Sequence, residues 1–270
     1  YVPENIGAGD KQNILKGEDH MLILDRKNLI FKVKEIHFSD YPYDVDGCDA
    51  VVFYYCKDEV GPAGFTCRED HTSVIDLTQD LDTIWGSMSK GNCRKPINRA
   101  ERAGVKVKLN ENYDEFYEMY HSVRSGKSLT GFSISLKDIK RYATLFVAEF
   151  DGEVISGHGY LEDENNMKSW VIGSKRFEKN KEYATLVGNA SKLIIWEAIK
   201  YAKERGIKEF DMGGLWSDEE AEINEIKRNI NFFKQSFGGK TITCYNYQKA
   251  YSPLYKLGSY LYNKANRLRK

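Results

Sequence analysis

"FDMGGLWSDEEAEINEIKRNINFFKQSFGG", residues 210–239, decides how the rest of the chain is read. An apolar run ends at Asp211, and Gly213-Gly214 follows. A polar helical stretch then leads to Phe232-Phe233-Lys234 and to a second pair, Gly238-Gly239. Glycine pairs allow sharp backbone turns without a Cβ clash, so the stretch reads as strand, turn, helix, turn. Working outward, "IKEFDM" (207–212) completes the strand. "ATLVGNASKLIIWEAIKYAKERG" (184–206) is a long helix closed by Lys203, Arg205 and Gly206. Before it, "TLFVAEFDGEVISGHGYLEDENNMKSWVIGSKRF" (144–177) holds three antiparallel strands, with Asp151-Gly152 as a hairpin turn. "NYDEFYEMYHSVRS" (112–125) is an amphipathic helix with Tyr113, Phe116, Tyr117 and Tyr120 near one face, and "KTITCYNY" (240–247) is a last strand. Residues 110–250 therefore run helix, three antiparallel strands, helix, strand, helix, strand.

The first third is strand-rich. "MLILDRKNLIFKVKEIHF" (21–38) reads as two strands through a charged turn, and "DAVVFYYC" (49–56) and "TSVIDL" (72–77) as two more. The pattern changes at residue 77. Thr78 is placed to cap a helix carrying Leu81, Ile84, Trp85 and Met88; Pro96 opens another, which Gly104 ends before "VKVKL". The C-terminal "SPLYKLGSYLYNKANRLRK" (252–270) is basic and amphipathic, suited either to docking on the protein body or to an anionic membrane surface. The domains expected are a strand-rich half at 1–108, the main domain at 109–250 and this helix at 251–270.

Composition narrows the function classes. The 270 residues are 41% hydrophobic and 30% charged with zero formal net charge, so no global field favours a polyanion. Five cysteines without a CxxC pair, and five scattered histidines without HExxH, argue for reduced thiols and against a metal centre. No apolar run spans a bilayer and no signal-peptide pattern starts the chain at Tyr1. A cytoplasmic protein, peripheral at the inner membrane face at most, is expected.

The element order and the stretches "IWGSMSKGNCRKPINRAERAGVKV", "VAEFDGEVISG", "EFDMGG" and "FFKQSFGG" resemble the FemAB-like branch of the GNAT acyltransferase fold. The resemblance covers roughly residues 72–265. It implies an α+β protein of two GNAT-like halves, the first reduced. It also implies an acyl or aminoacyl transferase forming an amide on an amino group of a cell-wall or cell-surface precursor, nucleotide- or lipid-linked. The donor is aminoacyl-tRNA or acyl-CoA, with no tightly bound cofactor. An acetyl-CoA-dependent N-acetyltransferase of an amino sugar or small amine, and a non-catalytic module binding tRNA or precursor, are the rival readings. One departure bears on the donor. Acetyl-CoA users carry an Arg/Gln-x-x-Gly-x-Gly/Ala loop whose amides hold pyrophosphate at a helix N-terminus. Here "KNKEYATLVGNA" (179–190) offers only Gly188, with Lys179 and Lys181 as phosphate-attracting charges.

Acyl transfer to an amine needs a proton acceptor and stabilisation of the carbonyl oxyanion. Lys234, read as lying between Phe233 and Phe237 on one helix face, is the candidate charge, and the resemblance implies that Phe233-Lys234 binds donor. Phe233, Phe237, Gly213 and Gly214 form the candidate substrate-binding set. Asp211 accepts a proton or holds the amine, or else bonds the amides of its own Gly213-Gly214 turn. Arg94 and Arg99 are candidate contacts to an acceptor phosphate. Each basic residue read alone also fits a solvated helix face.

Overall fold

The computed structural model describes residues 21–28, 30–59, 61–126, 134–176 and 178–267. The chain divides into two compact units, one comprising residues up to Cys67 together with those from Asn246, the other Arg68–Tyr245. Residues 68–108, expected in the first half, thus belong to the larger unit. Their helices carry Ile84, Met88, Ile97 and Ala100 into its core.

In the smaller unit β1 (Leu22–Asn28) and β2 (Phe31–His37) form the expected antiparallel pair. β3 (Ala50–Cys56) lies parallel to β2, and the last residues of β10 (Lys240–Ala250) come next in order. The C-terminal helix, here α8 (Pro253–Arg267), docks through buried Tyr255, edge-on to Phe31 at 5.3 Å and packed with Val33 and Ala50.

The larger unit contains most of β4 (Thr66–Asp76), α1 (Leu81–Ser87), α2 (Lys95–Arg102), β5 (Lys106–Leu109), α3 (Tyr113–Gly126) and α4 (Leu136–Tyr142). It continues through β6 (Thr144–Phe150), β7 (Glu153–Glu162), β8 (Asn166–Ser174), α5 (Lys181–Glu204), β9 (Glu209–Leu215), α6 (Asp218–Ile223) and α7 (Glu225–Gln235). Its sheet order is β10-β4-β9-β8-β7-β6-β5. All its registered pairs are antiparallel except β8 with β9. β6 displays the period-two logic of a sheet covered on both faces. Leu145 and Val147 join a cluster with α3 and α4, whereas Phe146 and Ala148 join the core under α5. Gly157 on β7 lets α3 approach, because a Cβ there would meet the Phe116 ring at 2.4 Å.

Three local expectations are corrected. α1 is capped by Asp80, whose carboxylate accepts from the Thr83 amide, while Thr78 donates to Asp76 instead. α4, with a Ser135–Asp138 capping box, was not read from the sequence. The polar stretch after Gly214 forms two helices, broken at Asn224.

Candidate active site

β9 sits between β4 and β8, so Asp211 has a neighbour on each side. The parallel ladder of β8 with β9 covers only Asn166–Glu209, Met167–Phe210 and Lys168–Asp211, after which these two strands are no longer registered with each other. Met167 and Phe210 face the α5 core. Lys168 and Asp211, one residue on, point to the opposite face, where Lys168 Nζ lies 3.5 Å from Asp211 Oδ2. From β4, the Thr72 hydroxyl donates to Asp211 Oδ1, and the Gly213 amide donates to the same oxygen at 2.7 Å. The carboxylate is thus held by a hydroxyl, an amide and an ammonium.

Lys234 enters from α7. Its Nζ donates to the Gly214 carbonyl at 2.6 Å. Gly213 has φ +84°, a conformation that disfavours side chains, and a Cβ there would sit 3.4 Å from the Lys234 ammonium. The turn expected after Asp211 is corrected: Gly213 and Gly214 continue β9 to Leu215, and Gly213 leaves room for the lysine head.

Burial depresses the proton affinity of both lysines. Lys168 is pushed down to about 8, with Asp211 opposing the shift and the Lys234 charge adding to it. Lys234 is lowered in the same sense, again with Asp211 opposing. Cys244 on β10, its thiol donating to the Asp70 carbonyl at 3.3 Å, is pushed up to about 12 by burial and remains a thiol. Two lysines around one carboxylate leave an excess positive charge in a poorly hydrated place, a setting suited to an oxyanion that forms during reaction.

The structure brings Asp211, Gly213, Gly214 and Lys234 together, and adds Lys168 and Thr72, which sequence reasoning missed. Phe233 is half-buried, edge-on to Phe237 at 5.5 Å, with the Lys192 ammonium 5.7 Å from its ring centre. Phe237 is corrected from the substrate-binding set. α7 ends at Gln235, and Phe237 lies beyond its C-cap, fully buried in the core with no surface for a ligand. Arg94 is half-buried at the end of a π-helical turn (Lys90–Arg94), and Arg99 is exposed on α2. Among the described residues neither has a hydrogen bond or ion pair to the Asp211 group.

Gly188 is likewise corrected. It lies two turns inside α5, beyond the free amides of the helix start, and its carbonyl accepts from Lys192 at 3.5 Å. Lys181, the first residue of α5, is exposed, whereas Lys179 is paired with Glu153 at 3.1 Å. The described residues contain no cluster of His, Cys, Asp or Glu able to hold a metal ion. Among them, no helix is long and apolar enough to cross a membrane.

A helix, an antiparallel meander, a long helix and a parallel strand that parts from its neighbour beside two desolvated lysines define the class, an acyltransferase fold. A model of the acetyltransferase (GNAT) domain matches residues 87–222, just over half of the chain, and the chain belongs to that family. No match is found among curated proteins. Solved structures show the same fold. FemX superposes with a TM-score of 0.59 at 13% identity, over 87% of this chain and 85% of FemX. L-PGS from Bacillus licheniformis gives 0.53 at 15%, over 85% and 81%. The C-terminal domain of an Agrobacterium fabrum protein described as a lysylphosphatidylglycerol synthetase gives 0.53 at 14%, over 85% and 80%. At these identities the likeness is one of fold.

Proposed function

We propose that the chain transfers an acyl or aminoacyl group from an activated ester or thioester to an amino group of a cell-wall or cell-surface precursor. The observation that carries this reading is a pair of desolvated lysines, Lys168 buried and Lys234 half-buried, set around Asp211 where β8 and β9 part. The amine nitrogen attacks the donor carbonyl carbon, and negative charge grows on the carbonyl oxygen. A nearby desolvated ammonium stabilises that charge more than the neutral ground state, which is what accelerates the step. Lys234 takes this role. Collapse breaks the donor C–O or C–S bond, and the proton lost by the amine ends on the departing hydroxyl or thiol. Asp211, already accepting from Thr72 and Gly213, holds Lys168 and the Gly213 backbone in place. In this reading the ligand lies beyond the last β8–β9 pair, at the ends of the parallel strands.

An aminoacyl donor is supported by the FemAB-like motifs and by fold likeness to a protein described as a lysylphosphatidylglycerol synthetase. A second reading, acetyl-CoA as donor, is favoured by the acetyltransferase description of the family and by the exposed Lys181 at the start of α5. The test is mass spectrometry of amine-bearing nucleotide- and lipid-linked precursors after incubation with aminoacyl-tRNAs or acetyl-CoA. A product heavier by one aminoacyl residue is expected. An acetylated product would establish the second reading. Binding without any product would leave a non-catalytic module.

A further inference from the structure

α8 presents three kinds of surface. Tyr255 is 8% exposed and faces the body of its unit, with Gly258 turned towards Phe31. Leu254, Leu257 and Leu261, spaced i, i+3 and i+7, form one stripe and are 66%, 56% and 55% exposed. Lys256 and Tyr260 are also exposed, Tyr260 at 62%. A docked amphipathic helix would turn its leucine stripe to the protein body. Instead a tyrosine docks and the leucines face outward.

We propose that α8 seats the protein on an anionic lipid surface, with Leu254, Leu257 and Leu261 inserted and the net positive charge of the 251–270 sequence supplying attraction. The charge pattern selects this occupant. Residues 251–270 contain Lys256, Lys264, Arg267, Arg269 and Lys270 and no Asp or Glu. A second copy would set five positive charges against five in an isologous contact. A surface of anionic headgroups gains from all of them, and tyrosine favours the boundary between apolar and wet layers. Three leucines are a small apolar payload, so attachment depends on both the stripe and the charge. It is reversible and salt-sensitive. The inference stands apart from the transfer chemistry, since it uses none of the residues assigned to it.

Sedimentation of the full chain with phosphatidylglycerol/phosphatidylcholine vesicles tests the idea against vesicles of phosphatidylcholine alone. Binding is expected only to the anionic vesicles, weakening as salt rises. A Leu257→Asn/Leu261→Asn double variant should lose about tenfold in partitioning. Its melting temperature should match the parent, because both side chains are exposed already. Four results would overturn the proposal: no sedimentation with anionic vesicles, equal binding to neutral ones, undiminished binding of the variant, or a clear loss of its melting temperature. That last result would mean the chain itself covers the leucines. Light scattering supplies a fifth: a parent dimer that the variant converts to monomer assigns the stripe to a second copy.

Discussion

Lys234 spends its hydrogen bond on a neutral carbonyl, while the adjacent Asp211 is held by Thr72, Gly213 and Lys168. Its charge is therefore left to meet one that appears only during reaction. Lys234→Met keeps the stem and removes the ammonium. Turnover should fall about a hundredfold or more, while the melting temperature stays level or rises, since burying an ammonium is unfavourable. Single-turnover kinetics beside thermal melts will check this; a well-folded variant at the parent rate removes Lys234 from the mechanism. Lys168 makes a separate, pH-dependent prediction. Its proton leaves near pH 8, well below the ordinary 10.5 for lysine, so the site loses a positive charge there. The rate should decline on the alkaline side with a midpoint near 8, and Lys168→Arg, which stays charged, should flatten that limb. The decline is not unfolding caused by this lysine. The folded chain releases the proton first, so the Lys168 contribution to stability grows between pH 8 and 10.5. Cys244 works in the opposite sense only above pH 9, its ordinary value, which leaves pH 8 to 9 as the clean window. Asp211, the glycines and Lys234 were legible because one short stretch carries them all. Thr72 and Lys168 were not, because the order β4-β9-β8 decides who flanks Asp211. Lys168, just past the polar "EDENN" turn, looks in sequence like an exposed strand end.

At the scale of elements, the sequence reads well wherever periodicity and turn chemistry agree. The three-stranded meander, its Asp151-Gly152 turn at φ 50° and 77°, and α5 all stand where the pattern put them. Reading failed where a side chain's bond, not its polarity, sets a boundary. Asn224 is one such case. Within a continuous polar run it looks like another helix residue, yet its side chain accepts from the Ile226 and Lys227 amides and starts α7 afresh. Phe237 is another, since four-residue spacing from Phe233 suggested one helix face until Ser236 ended the helix. The cap has a measurable role. Asn224→Ala should cost about 1 kcal/mol, read from urea unfolding as a lower midpoint at unchanged slope. An unchanged midpoint would mean that tertiary contacts, not the cap, hold the start of α7.

At the scale of the molecule, the family match at residues 87–222 falls wholly inside the unit Arg68–Tyr245. That unit also holds Thr72, Lys168, Asp211 and Lys234, along with the core under α5 and the cluster beneath α3 and α4. A sheet buried on both faces, with its own core, meets the physical requirement for independent folding. The fragment 68–245 keeps the β4–β9 ladder from His71 to Asp76 and the Cys244–Asp70 contact beside the site. It is therefore expected to unfold cooperatively on heating, with the circular dichroism of a mixed α+β protein. Within it, Lys168 should retain its depressed proton affinity, because burial is the main cause and the strands that flank it, β7 and β9, are included. Its charged or titratable neighbours Asp211, Cys244 and Lys234 are included as well. Nitrogen NMR of selectively labelled lysine, followed against pH, reads that affinity directly. A titration near 8 in both fragment and full chain would show that the larger unit builds the site alone. A fragment without a cooperative melt would show that residues outside 68–245 are needed to complete its core. A cooperative fragment whose Lys168 titrates at the ordinary value would instead locate part of the desolvation beyond this unit.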